Sequence, residues 1–202
     1  MSQVMVVYNA DSADSWCGAW LLDRCFNGTQ MVASKDEEYP PLIDGRTVFF
    51  VGLCYDLPRV NEIQLYSHRA IMFDHRKKAR AVFRKHDNCI YDNSRSSCML
   101  AYDWCNYRGY VDNYAGSGLQ NNRDVAKGMR SIVMYVQDKQ LGNNKLPNSL
   151  YINECINSFS FDLREWDMLA RKASFTPESL TNDGIAIQRY KSKMEMADDS
   201  PE

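Results

Sequence analysis

No stretch of this sequence approaches the roughly 20 consecutive apolar residues that a membrane-spanning helix needs, so a helical membrane protein is not expected. The opening Met1-Ser2-Gln3-Val4-Met5-Val6-Val7-Tyr8 carries neither a basic lead nor a cleavage signal, and a cytoplasmic protein is the expectation. Net charge is nearly absent: 24 basic residues against 26 acidic ones leave −2. Without a global field, strong bulk binding of nucleic acid or anionic membrane is not expected, and any phosphate recognition must come from a local patch. The seven cysteines include no Cys-x-x-Cys pair, which removes the usual spacing of structural zinc. Their odd number, and the apolar settings of Cys17, Cys54, Cys89 and Cys98, suit free buried thiols in a reducing compartment. There is no internal repeat and no low-complexity linker.

What is present is ordinary in bulk. At 202 residues, 45% apolar and 25% charged, the chain suffices for one large domain or a domain with a small appendage. Val4 to Tyr8, Met31 to Ala33, Thr47 to Val51, Ala70 to Phe73 and Cys89 to Tyr91 are short β-rich runs. Helical patterns begin near Trp16 and Leu57, between them. Strands alternating with helices predict an α/β fold, a mainly parallel sheet of about five strands covered on both faces. From Arg95 the pattern turns helical: Ser97 to Tyr107, a long amphipathic stretch through Val125, Met129, Ile132, Val133 and Val136, then Asn148 to Phe159 and Asp162 to Ala173. Thr176-Pro177-Glu178 opens a last helix by capping. Tyr110 to Asn122 reads as a Gly- and Asn-rich connection. The expected organisation is an α/β domain over 1–120, a helical extension over 121–190 packed on it, and a frayed polar tail over 191–202.

The most informative stretch is Ala70 to Lys78. An apolar run ends in Asp74-His75 and is followed by Arg76-Lys77-Lys78. Ligands of open parallel sheets bind at the carboxyl ends of the strands. An acid and an imidazole there are two metal-ligand types, and the cations complement phosphate. Alternatively, Asp74-His75 is a helix cap with a buried histidine, and Arg76, Lys77, Lys78, Arg80, Arg84 and Lys85 form a solvated basic face. Asp11 and Asp14 lie between a strand end and a helix start, where one of them can simply cap the helix. The tyrosines and Trp104 between Tyr102 and Tyr114 read as core or interface packing rather than as base-stacking groups.

The order of these landmarks resembles the DHH (Asp-His-His) phosphoesterase superfamily, above all its phage and bacterial single-chain branch. The opening turn of that branch is matched by Tyr8-Asn9-Ala10-Asp11-Ser12-Ala13-Asp14-Ser15, and its second motif by Val51-Gly52-Leu53-Cys54-Tyr55. Asp74-His75-Arg76 stands at the naming motif, Asp92 to Cys98 at the place of that branch's Ser-Gly-Ala helix start, and Tyr135 to Leu141 at the fourth motif. The resemblance implies a phosphodiester- or phosphoanhydride-cleaving site with two Mn²⁺ or Mg²⁺ ions, which would stabilise attacking and leaving oxygens.

The departures fall on that chemistry. The first-motif His is Asn9, the bridging Asp of the second motif is Gly52, the last His of the naming motif is Arg76, and a fourth-motif acid is Gln140. Asp11, Asp14, Asp74, His75 and Asp138 remain as a residual ligand set, suited to one ion or none. Asp56, four residues past Gly52, is a distant substitute for the bridging acid. Arg76, Lys77 and Lys78 are the expected phosphate contacts; an Arg in place of a His keeps a phosphate donor and loses a general acid. Nothing resembles the glycine-rich motif of the family's C-terminal substrate-binding domain. The expectation is a degraded DHH-like site that binds a nucleotide, a phosphodiester or a protein partner, in the manner of a phage-type inhibitor or sequestering protein. The competing expectation is an active Mn²⁺-dependent phosphodiesterase.

Overall fold

The computed structural model describes residues 4–36, 38, 41–116, 120–175 and 177–198. Five strands form one parallel sheet: β1 (Val4–Asn9), β2 (Gln30–Ser34), β3 (Thr47–Val51), β4 (Arg69–Asp74) and β5 (Cys89–Tyr91). Their order across the sheet is β2-β1-β3-β4-β5. After β2 the chain returns to the other side of β1, so the sheet reverses its direction of growth between β1 and β3. That reversal opens a crevice at the strand ends, the usual ligand position in such sheets. Register brings Tyr8 beside Val51 and Val51 beside Phe73, so Asn9, Gly52 and Asp74 end level with one another.

Side chains alternate between two cores, as the twofold period of a strand requires. Val6, Phe49, Val51, Ile71 and Phe73 face one core, beneath α1 (Ala13–Phe26) and α4 (Ser97–Tyr107). Met5, Val7, Val48, Phe50, Ala70 and Met72 face the other. That second face is closed by Val60 and Ile63 of α2 (Leu57–Tyr66), and by Ala79 and Phe83 of the 3-10 turn Lys77–Ala79 and the short α3 (Arg80–Phe83).

Helix starts follow local chemistry. Ser12 caps α1 by accepting from the Ser15 N–H at 3.2 Å, so neither Asp11 nor Asp14 is its cap. Asp56 caps α2, accepting from the Arg59 N–H at 3.1 Å with Pro58 in the first turn. It is exposed and turned to its own helix, not toward Gly52.

The helical part comprises α5 (Tyr110–Ala115), α6 (Gln120–Gln140), α7 (Ser149–Asn157), α8 (Leu163–Phe175) and α9 (Pro177–Asp198). Helix α5 occupies part of the stretch expected to be a connection. Tertiary packing overrides the local Gly/Asn signal there: Val111 is buried, and Tyr110 lies against Phe26 and Trp104. Trp104 itself packs on Phe49 and Phe73, which places it in the core. The predicted face of α6 is buried in that same core. Helix α9 continues to Asp198, beyond the expected start of a frayed tail; Thr176 and residues 199–202 lie outside the described residues. All seven cysteines are free, and Cys17, Cys89, Cys98, Cys105 and Cys155 are buried. Among the described residues no helix is long and apolar enough to cross a membrane.

Candidate functional site

Asp74 terminates β4 and is wholly buried. A buried carboxylate needs a counter-charge, and Arg76 provides it from two residues away. The Arg76 backbone N–H donates to Asp74 Oδ1 at 2.8 Å, its Nε donates to both carboxylate oxygens at 3.0 Å, and its Nη2 also reaches Oδ2. The far side of the same guanidinium is held by Asp36, in the loop after β2: Nη1 donates to Oδ2 at 2.8 Å and Nη2 to Oδ1 at 3.0 Å. Nη2 also donates to the Gly52 carbonyl at 2.6 Å. Arg76 thus sits among two carboxylates and a backbone carbonyl at the ends of β3 and β4, a donor set suited to a cation.

Asp36 further accepts from Lys78 Nζ and from the Cys54 N–H at 2.8 Å. Burial alone would raise the Asp36 pKa, but the hydrogen bonds from Arg76, Lys78 and Cys54 outweigh it and hold the carboxyl below its ordinary range. Arg76 is the mirror case. Burial disfavours its charge, yet Asp74 and Asp36 push its pKa above the usual arginine value. The charges of Arg76 and of the exposed Lys78 are therefore paired with the protein's own carboxylates. Of the three cations expected to contact phosphate, Lys77 is the one with no ionic or hydrogen-bonding side-chain partner among the described residues.

Asp14 is also buried, and it serves a different helix. Its oxygens accept from the N–H groups of Ser97 and Cys98, each at 2.9 Å, across more than eighty residues of sequence. These are unpaired donors of the first turn of α4, at the positive end of its dipole. His75 Nδ1 lies 3.0 Å from Ser97 Oγ and 3.8 Å from Asp14 Oδ2. A serine-histidine-aspartate triad places its acid and its serine on opposite ring nitrogens. Here both face Nδ1, so Ser97 is not activated in that way.

A polar cavity of about 280 Å³ opens beside these groups. It brings together Asn9, Asp11, Asp14, Gly52, His75, Arg76 and Gln140, joined by the hydroxyl-bearing Ser12, Ser15 and Ser97. Asp74 lies behind Arg76, outside the lining. Asp11 is largely exposed and paired with Lys35 at 3.1 Å. Asp138 does not line the cavity. Its carboxylate accepts from the N–H groups of Lys145 and Leu146 at 3.0 and 3.2 Å and from Ser149 Oγ at 2.6 Å, which fixes the turn from α6 into α7. Burial raises the Asp138 pKa, and these three donors outweigh it, so the net displacement is downward.

No protein-family model matches the chain, and none of the curated proteins does. Among solved structures it is similar to an uncharacterized protein from Helicobacter pylori G27, with a TM-score of 0.66 and 11% identity. The match covers 93% of this chain and 63% of that one, so the present chain corresponds to less than two thirds of its neighbour. At this identity the likeness shows the fold alone.

A divalent-cation centre needs several free oxygen or nitrogen donors converging on one point. Among the described residues no group of three His, Cys, Asp or Glu is so arranged. The oxygens of Asp74 are held by Arg76, those of Asp14 by α4 and those of Asp138 by its own turn. Gly52 contributes a carbonyl that already accepts from Arg76. The residues present do not fit a two-metal centre.

Two features lay outside the sequence reading. Asp36, in the loop after β2, is the second anchor of Arg76; its sole sequence signal is an acid shortly after a strand beside β1. The other is the contact between Ser15 and Gly52. Gly52 has a left-handed φ of +63°, and a Cβ placed on it would collide with Ser15 Oγ. Only the spatial pairing of two distant turns reveals that.

Proposed function

We propose that this protein is a DHH phosphoesterase-like protein of the cytoplasm that has given up hydrolysis and uses its strand-end crevice to hold a phosphodiester-containing ligand. The order of its sequence landmarks supports the kinship, and the parallel sheet is compatible with it. One observation carries the loss of hydrolysis: the Arg76 guanidinium occupies the donor set of Asp74, Asp36 and the Gly52 carbonyl. An internal, permanently charged cation leaves those oxygens no reason to recruit Mn²⁺ or Mg²⁺. What the cavity still offers is a ring of hydrogen-bonding groups, Asn9, Ser12, His75, Ser97 and Gln140, suited to orienting a polar ligand. A small binder of this kind can sequester a ligand from a related active enzyme; a protein partner recognised by the same crevice is the other form of that role.

The test is an assay of purified protein with bis-p-nitrophenyl phosphate and a thymidine dinucleotide, with and without Mn²⁺. The expected result is no Mn²⁺-dependent turnover, with dinucleotide binding that His75→Ala weakens. Turnover that Asp74→Ala abolishes would overturn the proposal and favour an active phosphodiesterase. No dinucleotide binding, with a protein captured by wild type and lost in His75→Ala, would replace the phosphodiester with a partner chain.

A further inference from the structure

A second concavity lies beside the crevice, at the outer edge of the sheet. The chain leaves β4 through the 3-10 turn Lys77–Ala79, and α3 then lies against the end of β5. Between them is a cavity of about 360 Å³. Phe83 and Cys89, both buried, give it an apolar base, while Arg80, Arg84, Tyr91 and Asn93 complete its walls.

The two arginines differ from Arg76 in one decisive respect. Both are exposed, and neither guanidinium has a hydrogen-bond or ion-pair partner among the described residues. They are four residues apart at the end of one helical turn, an arrangement in which like charges repel. The acid in the lining is Asp92; its Oδ1 accepts from Ser94 Oγ at 2.7 Å and from the Ser94 N–H at 2.8 Å, bonds that hold its carboxyl below the ordinary range and keep it anionic, so one negative charge faces two positive ones. Two guanidiniums without an ion-pair partner, set against a single carboxylate, leave the concavity net positive at the carboxyl end of a parallel strand, which suits an incoming anion.

From this we infer that the groove between α3 and β5 binds a phosphomonoester carried on a flat, apolar body, the chemistry of a nucleoside monophosphate. A phosphomonoester brings nearly two negative charges at neutral pH, enough to relieve the repulsion between Arg80 and Arg84. Guanidiniums pair with phosphate oxygens through two parallel N–H donors. Phe83 and Cys89 are buried and only floor the groove; the half-buried Tyr91 ring is the apolar surface open to a heterocycle, and Asn93 offers an amide to its polar edge. The volume falls near the lower bound of about 300 Å³ for small-molecule sites, which suits one nucleotide rather than a longer strand. The groove is separate from the crevice of Asn9, Gly52 and His75, so it does not depend on the function proposed there.

The experiment is calorimetric titration of the full chain with AMP, adenosine and inorganic phosphate, on wild type, the double variant Arg80→Gln with Arg84→Gln, and His75→Ala. Wild type is expected to bind AMP at one site, at least tenfold more tightly than adenosine or phosphate. The double variant is expected to lose at least tenfold in AMP affinity, and His75→Ala to lose none. Both glutamine changes are at exposed side chains, so unaltered thermal unfolding is expected; if the double variant does not fold, Arg84→Glu alone serves the same comparison. Absence of AMP binding to wild type, or undiminished binding by the arginine variants, overturns the proposal. Binding lost in His75→Ala but kept without the arginines places the ligand in the central crevice instead and also overturns it. Equal affinity for AMP and phosphate overturns the assignment of a flat apolar body.

Discussion

Ser15 Oγ stands where a side chain on residue 52 would have to begin. Residue 15 follows the turn after β1 and residue 52 follows β3, yet the two are complementary: the hydroxyl of one occupies the space a Cβ of the other would need. Gly52 also has φ +63°, which an L side chain adopts only with strain.

Gly52→Asp is therefore expected to destabilise the fold by about 3 kcal/mol, from left-handed strain plus the collision with Ser15. Ser15→Gly in the same chain should recover the steric part and leave about 1–2 kcal/mol. A double-mutant cycle by urea denaturation measures the coupling. Additive effects would show that the two positions do not compete for the same space. Placing an acid at residue 52 thus requires more than one substitution.

Arg76→Ala leaves Asp74 buried without its counter-charge and is expected to cost about 3–5 kcal/mol. Adding Asp74→Asn should return a large part of that loss, because the uncompensated charge is gone. Arg76→Lys should recover only part of it, since one ammonium cannot donate in parallel to the carboxylates on both sides. Chemical denaturation of the four proteins decides; equal stability of Arg76→Ala and wild type would contradict an internal counter-ion.

Asp138 gives a dependence on pH whose sign is fixed. Its folded-state pKa is depressed by Ser149, Lys145 and Leu146 against the opposing effect of burial. The stability it contributes is thus present above the unfolded carboxyl pKa of about 3.9 and is lost as pH falls through the lower folded value. Asp138→Asn should cost about 2 kcal/mol at neutral pH. The gap from wild type should narrow below about pH 4. Asp36, depressed for analogous reasons, is expected to act in the same direction.

Gly128 and Gly184 set how closely the helices of the C-terminal part approach. A Cβ on Gly128 would meet the Ala170 carbonyl of α8, and one on Gly184 the Tyr151 carbonyl of α7. In an open helix, glycine to alanine stabilises by about 1 kcal/mol. Here each change is expected to destabilise by up to about 3 kcal/mol, because backbone rather than a mobile side chain is struck. Lys127→Ala, next to Gly128 but exposed, should stay within about 0.5 kcal/mol of wild type.

The sequence by itself determined the strands and most of the helices, since β-rich runs, caps and the period of α6 are local signals. It marked Asn9, Gly52, Asp74, His75 and Arg76 for the strand ends, because apolar runs stop where a parallel sheet places its crevice. It missed α5, whose Gly- and Asn-rich surroundings signal a turn while Val111 and Tyr110 find a core to join. It put Asp14 and Asp138 in one ligand set; in the structure each carboxylate satisfies backbone N–H groups, of α4 and of the turn into α7. Only the tertiary structure decided what Arg76 does. Its phosphate reading rested on charge and position, but a charge acts through its nearest partners, and those partners, Asp36 and the Gly52 carbonyl, arrive from other loops. The fold brings them within hydrogen-bonding distance and turns a residue that looked outward for an anion into the cation that the strand ends already contain.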